Sequence, residues 1–234
     1  MKDMSEDFDF DKYWLRVFSM CLEDEINEEI RCKIMEGSEN ISSKTSREEV
    51  FQWTKNALSK LDSLVDNEIR DKILTGCACQ YPRKNLRELK NFYAETKDLV
   101  MTHQKLQEFF ETFLDTLNIE DKYKDEIIKR NMGMAGRLEG KTIIATKIPK
   151  SAFIKDWFEE SDSLKKRSLF CHCPRIRDVM GKEENELPMF HCYCGAGFYK
   201  VIWEEILQKP VKVEVLETVM NGGDVCKIAV YLPE

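Results

Sequence analysis

At 234 residues the chain is long enough to bury a core without disulfide staples, and its 36 Lys and Arg against 43 Asp and Glu give a net charge of −7. That acidic balance, with no basic block, argues against nucleic acid and anionic membranes as partners. The opening MKDMSEDFDFDKYW is acidic and polar where a secretory signal needs a basic start and an apolar run, and no apolar stretch reaches membrane-spanning length, so a soluble, cytoplasmic protein is expected. In a reducing compartment its nine cysteines favour metal binding, redox chemistry or plain burial over disulfides.

Along the chain, Phe10, Tyr13, Trp14, Val17, Phe18, Leu22, Ile26, Ile30 and Ile34 recur at three- and four-residue steps and predict one amphipathic helix over residues 10–34. Residues 37–46 are rich in turn formers, and Ser46 with Glu49 makes a capping box for a second helix that carries Val50 to Ile73 and stops at Gly76 and Pro82. A third helical region covers 84–117 with a break near 95–98, and a short fourth follows over 120–132. KTIIATKIP is then β-branched and alternating, a strand. SAFIKDWFEES reads as a helix capped by Ser151, SLFCHCP as a strand, and GAGFYKVIWEEILQ as an apolar helix ended by Pro210. VKVEVLETV and VCKIAVYLP are two more strands joined through the turn NGGD. The expected fold is α+β: a helical region, 1–135, packed on a small, mostly antiparallel four-stranded sheet with helices, 136–234, as two units or one joint domain.

The chemistry concentrates in two Cys-x-Cys pairs, Cys171/Cys173 and Cys192/Cys194, with an earlier echo at Cys77/Cys79 and a lone Cys226. Thiolate and imidazole are the donors zinc prefers, and four of them close a tetrahedral structural site. On a strand, Cys171 and Cys173 share a face while His172 points away, and His191 directly precedes the second pair. The charged RDVMGKEENELP between the pairs reads as an exposed loop, and His103, on an apolar helical face, as a core histidine. AGRLEGKT, residues 135–142, fits a permissive phosphate-loop pattern, but a helix precedes it and a strand follows, the reverse of what phosphate binding needs.

The run CYCGAGFYKVIWEEILQKPVKVEVLETVMNGGDVCKIAVYLP resembles the end of vinyl-reductase-type small-molecule-binding domains and of aminothiazoline carboxylate hydrolase-like proteins. In those families a Cys and Gly open a helix, a Val-rich strand carries a Glu, and a Gly turn leads to a Cys in the last strand. The matching positions here are Cys192 or Cys194, Gly195 and Gly197, Glu214 or Glu217, Gly222 or Gly223, and Cys226. The resemblance implies zinc bound through Cys and Glu beside an apolar pocket; where the family has a further Cys after the strand Glu, this chain has Glu217, Thr218 or Met220.

The expected function is a small-molecule-binding, sensor-like protein. Cys171, Cys173, Cys192, Cys194 and Cys226 are the metal ligands for zinc, which pins the Cys194 loop to the sheet, and Phe198, Tyr199, Trp203, Glu214 and Glu217 line the pocket. Two alternatives stay open: a hydrolase of a small heterocycle or carboxylate, using a cysteine or a metal-bound water, and a thiol redox protein. The expected partner is a small-molecule ligand, and the exposed helical faces leave room for a homodimer.

Overall fold

The computed structural model describes residues 9–77, 79–180 and 187–233, with helices filling the first half and all strands in the second. The stretch expected as one helix from residue 10 is two, α1 (Phe10–Glu25) and α2 (Glu28–Met35). Asn27 causes the break, because its side chain accepts from the Ile30 N–H and caps a new helix. Asp66 does the same between α3 (Arg47–Leu64) and α4 (Asn67–Gly76), accepting from the Ile69 N–H. Apolar spacing runs through both breaks, so periodicity alone reads them as continuous. The Ser46–Glu49 capping box is present, and the break near 95–98 falls between α5 (Arg87–Thr96) and α6 (Leu99–Asp115), where Lys97 turns left-handed and Asp98 caps α6.

After α7 (Asp121–Lys129) come β1 (Arg137–Glu139) and β2 (Thr142–Thr146), joined by a two-residue turn with Gly140 at φ 61°. AGRLEGKT is therefore a hairpin, and β1 is a strand that its glycines conceal. Ser151 does not cap α8 (Ile154–Glu159); it opens a 3-10 turn, Ser151–Phe153, ahead of it. The expected strand at 168–174 is also corrected. Asp162 caps α9 (Ser163–Phe170) by accepting from the Lys165 N–H, Cys171 to Cys173 run extended without a strand partner, and Pro174 sits in the first turn of α10 (Pro174–Arg177). A 3-10 turn, Met189–Cys192, leads into α11 (Tyr193–Leu207), which stops at the left-handed Gln208 before Pro210. The acidic start, residues 1–8, and the loop core, 181–186, lie outside the described residues.

The chain closes with β3 (Lys212–Glu217) and β4 (Lys227–Tyr231), and the four strands pair antiparallel in the order β1-β2-β4-β3. This is the expected α+β fold. The NGGD connection is longer than a tight hairpin turn: it holds a 3-10 turn, Val219–Asn221, and Gly222 at φ 89°. In register, Ala145, Ile228 and Val215 form one row across the inner face and Ile143, Val230 and Val213 the next.

Trp14, Phe18, Leu22, Phe51, Leu58, Leu61, Leu106 and Phe110 from the helices join these sheet residues in one apolar cluster that crosses the 135/136 boundary. Burying each such large side chain stabilises the fold by about 1.5–3 kcal/mol. Helix α11 lies at the centre, against α4, α5, β3 and β4, which explains why Val201, Ile202, Trp203, Ile206 and Leu207 are all buried. Among the described residues no helix is long and apolar enough to cross a membrane.

Candidate functional site

One cavity gathers most of the cysteines. It is bounded by Phe10 and Trp14 of α1, Cys79 beyond α4, Lys147 after β2, Phe170 to Cys173 at the end of α9, His191, Cys192, Cys194 and Gly195 at the entry of α11, and Glu217 to Met220, Cys226 and Ile228 from the β3–β4 end of the sheet. Its volume is about 60 Å³. That is room for a few waters or one compact ion with its ligands, and too little for a drug-sized molecule without rearrangement.

Its construction follows from local chain geometry. Pro174 cannot continue α9, so Cys171 and Cys173 leave the helix extended and reach the cavity wall, with Cys171 Sγ 3.9 Å from the Cys173 carbonyl oxygen. The Lys147 N–H donates to the Cys226 carbonyl at 2.9 Å, tying the end of β2 to the start of β4. Opposite them, Gly197 of α11 lies so close to α4 that a Cβ there would stand 2.0 Å from the Thr75 carbonyl oxygen. A Cβ on Gly195 would meet Lys147 Nζ at 2.7 Å, so the missing side chain is what admits the ammonium.

The thiols influence one another as one continuous group. Cys192 feels Cys226, Cys171 and Cys173, Cys194 feels Cys77, Cys79 and Cys173, and Cys173 in turn feels Cys79. Burial pushes the Cys173 thiol up to about 11 and raises Cys171, Cys192 and Cys226 as well. The resting thiols are thus protonated near neutrality and poor nucleophiles. Among the described residues Lys147 is the one ammonium lining the cavity; burial disfavours its charge, and negative charge on the sulfurs of Cys79 and Cys226, once formed, favours it.

His191 is 3 % exposed, its Nε2 lies 3.7 Å from Cys173 Sγ, and its Nδ1 has no hydrogen-bond partner among the described residues. Burial, assisted by the Arg175 guanidinium, lowers its ring to about 3 from 6.5. Between these values the unfolded chain binds a proton that the native protein refuses, so stability is lost as pH falls below about 6.5. The slope is at most about 1.4 kcal/mol per pH unit. Thermal melts from pH 7 to pH 4.5 should show His191→Gln losing less stability than wild type, with His172, bonded to the Ile148 carbonyl oxygen, present in both. Equal losses would remove His191 from this role.

All five expected ligands, Cys171, Cys173, Cys192, Cys194 and Cys226, line this cavity, and so does Glu217. The other expected pocket residues lie elsewhere. Tyr199 and Trp203 are core residues, the first with its hydroxyl 3.4 Å from the Gly133 carbonyl oxygen, the second stacked on His103. Phe198 packs edge-on against Tyr81, and the exposed Glu214 accepts from the Tyr231 hydroxyl. Glu217 is engaged too, bonded to Lys227 Nζ at 2.6 Å and to the Asp224 N–H at 3.0 Å. Of the aromatic walls, Phe10 and Trp14 come from a helix distant in sequence, whereas Phe170 directly precedes Cys171. Lys147 carried no motif signal at all.

The donors, soft sulfur and imidazole, suit zinc. Their spacing is not preassembled: among the described residues no three His, Cys, Asp or Glu side chains stand where they could share an ion. Uptake of a metal therefore requires the sulfurs to draw together.

Fold and site define a helix-rich α+β protein built around a thiol-lined cavity. Residues 118–234, half of the chain, match the model of a family of unknown function (DUF6144), and the chain belongs to that family. The matched half holds most of the cavity wall, while Phe10, Trp14 and Cys79 come from outside it. No curated protein and no solved structure matches the chain.

Proposed function

We propose that this is a cytoplasmic binding protein whose cavity takes up a thiophilic metal ion, zinc in the first instance, through Cys171, Cys173, Cys192 and Cys226, with Cys194 adjoining. The observation that carries this reading is the convergence of cysteines from separate segments, the end of α9, the entry of α11 and the start of β4, on one small cavity. Four thiolates complete a closed tetrahedral set, the arrangement of a structural site. All nine cysteines are free, in keeping with a reducing compartment. The raised thiols disfavour a cysteine nucleophile or a fast dithiol exchanger, since both need thiolate at neutral pH. A metal removes that obstacle by displacing the protons itself, so uptake releases acid and strengthens as pH rises. A small-molecule ligand would meet the apolar side of the cavity, where Phe10, Trp14, Phe170 and Val219 lie, and would need those walls to move apart to enter.

Protein purified without added zinc should carry about one equivalent by elemental analysis, and Cys171→Ser with Cys173→Ser should lose it along with thermal stability. Zinc-free protein from zinc-replete cells, or a double variant that keeps both metal and stability, would overturn the reading.

A further inference from the structure

Helix α6 is apolar on two opposite sides. Leu106, Phe110 and Leu114 are buried in the common core, and His103 stacks on Trp203 and bonds the Gly136 carbonyl oxygen, so the inward side is fixed. Outward, the same helix carries Val100, Met101, Phe109 and Phe113, four of the ten large apolar side chains exposed among the described residues. A monomer scatters such residues singly, and here they are gathered. Three of them stand at four-residue steps with Lys105, in the order Met101, Lys105, Phe109, Phe113, and form one continuous ridge. Beside the ridge, a groove of about 820 Å³ between α5 and α6 is lined by Arg87, Leu89, Phe92, Lys105, Glu108 and Phe109.

The charges on this face say what covers it. Anionic membrane or nucleic acid needs a basic excess, whereas Lys84, Arg87 and Lys105 stand here among Glu88 and Glu108, a nearly balanced mixture that suits a surface of the same kind. Lys105 lies 4.8 Å over the Phe92 ring, and among the described residues no carboxylate pairs with it. Glu108 is held by the Gln104 amide at 3.0 Å and by no cation among the described residues.

The ridge is also symmetrical about its midpoint. Laid antiparallel on a copy of itself, it sets Met101 against the partner's Phe113 and Lys105 against the partner's Phe109, with the partner's Glu108 next to that ring; a two-fold axis repeats each contact. A parallel arrangement would instead set Lys105 against the partner's Lys105. Interlocking two such four-residue ridges is the commonest way helices pack in globular proteins.

We infer that this face is a homodimer interface, α6 packed antiparallel on the partner's α6 with α5 flanking it. It stands apart from the metal reading of the cavity. The 17-residue helix is about 25 Å long, and two helices side by side are about 20 Å wide. That is somewhat less than the ~800 Å² a standard interface takes from each partner, so association is weak and concentration-dependent.

Sedimentation velocity of the full chain at rising concentration tests this. Wild type should pass from monomer to dimer, and Phe109→Glu should weaken association by more than about tenfold. Lys105→Glu and Glu108→Lys should each weaken it too, because each turns the pair across the axis into like charges. An equimolar mixture of those two variants should dimerise again, since the heterodimer has opposite charges at both copies of the pair. All three positions are exposed, so thermal melts of the variants should stay close to wild type and separate lost pairing from lost folding. Wild type monomeric at every concentration would overturn the interface and leave the face to a different molecule. A dimer that Phe109→Glu leaves intact would overturn it as well, and variants that fail to recover on mixing would overturn the antiparallel pairing.

Discussion

Asp11→Ala should cost about 3–5 kcal/mol of stability, although Asp11 lies on the first turn of the first helix. Its carboxylate accepts both terminal nitrogens of Arg47 at 2.8 Å, and Arg175 Nη2 stands 3.1 Å from its other oxygen, near but poorly aligned. Arg175 is 1 % exposed, donates to Thr54 Oγ1 at 2.7 Å and lies 4.2 Å over the Trp14 ring. One guanidinium thus joins α1, α3 and α10 behind the cavity wall formed by Trp14 and His191. Removing the carboxylate leaves that charge buried without an ionic partner. Arg175→Met in the Asp11→Ala background should recover much of the loss, because the orphaned charge goes with it; urea titration of the four proteins of this cycle measures the coupling. Additive losses would show that the pair is not coupled.

Gly197→Ala should be nearly as damaging, about 3 kcal/mol, or a fall of roughly 6–12 °C in Tm. The added Cβ would stand 2.0 Å from the Thr75 carbonyl oxygen, and backbone cannot rotate away as a side chain can. Gly195→Ala is the matched control two residues earlier. Its Cβ meets only the flexible end of Lys147, so Tm should change little while the ammonium is pushed from its place. Scanning calorimetry of both variants separates the two roles, and equal Tm changes would contradict the packing described here.

Much of this architecture is legible in the residues, and the exceptions share causes. The α+β order, the capping box at Ser46 and the antiparallel pairing of the last strands follow from periodicity, caps and turn residues. Asn27 and Asp66 break helices whose apolar spacing continues unbroken, so the cap must be weighed above the period. SLFCHCP reads as a strand because so short an apolar run cannot be told from a helix end by periodicity, and the decisive signals are Asp162 upstream and Pro174 downstream. Cys171, Cys173, Cys192, Cys194 and Cys226 are visible as a group because sulfur clusters are rare in a chain this size. Phe198, Tyr199 and Trp203 are apolar residues on a helix with no fully exposed face, so their composition could not separate core from cavity. Lys147 becomes informative only once the fold sets its ammonium beside Gly195 and the sulfurs.

Diffraction from zinc-soaked crystals at the zinc absorption edge tests the metal-binding cavity most directly. The expected result is an anomalous peak inside the cavity, with sulfurs of Cys171, Cys173, Cys192 and Cys226 drawn in to about 2.3 Å. A cavity without a peak, with zinc only on surface carboxylates and the sulfurs still apart, would contradict it.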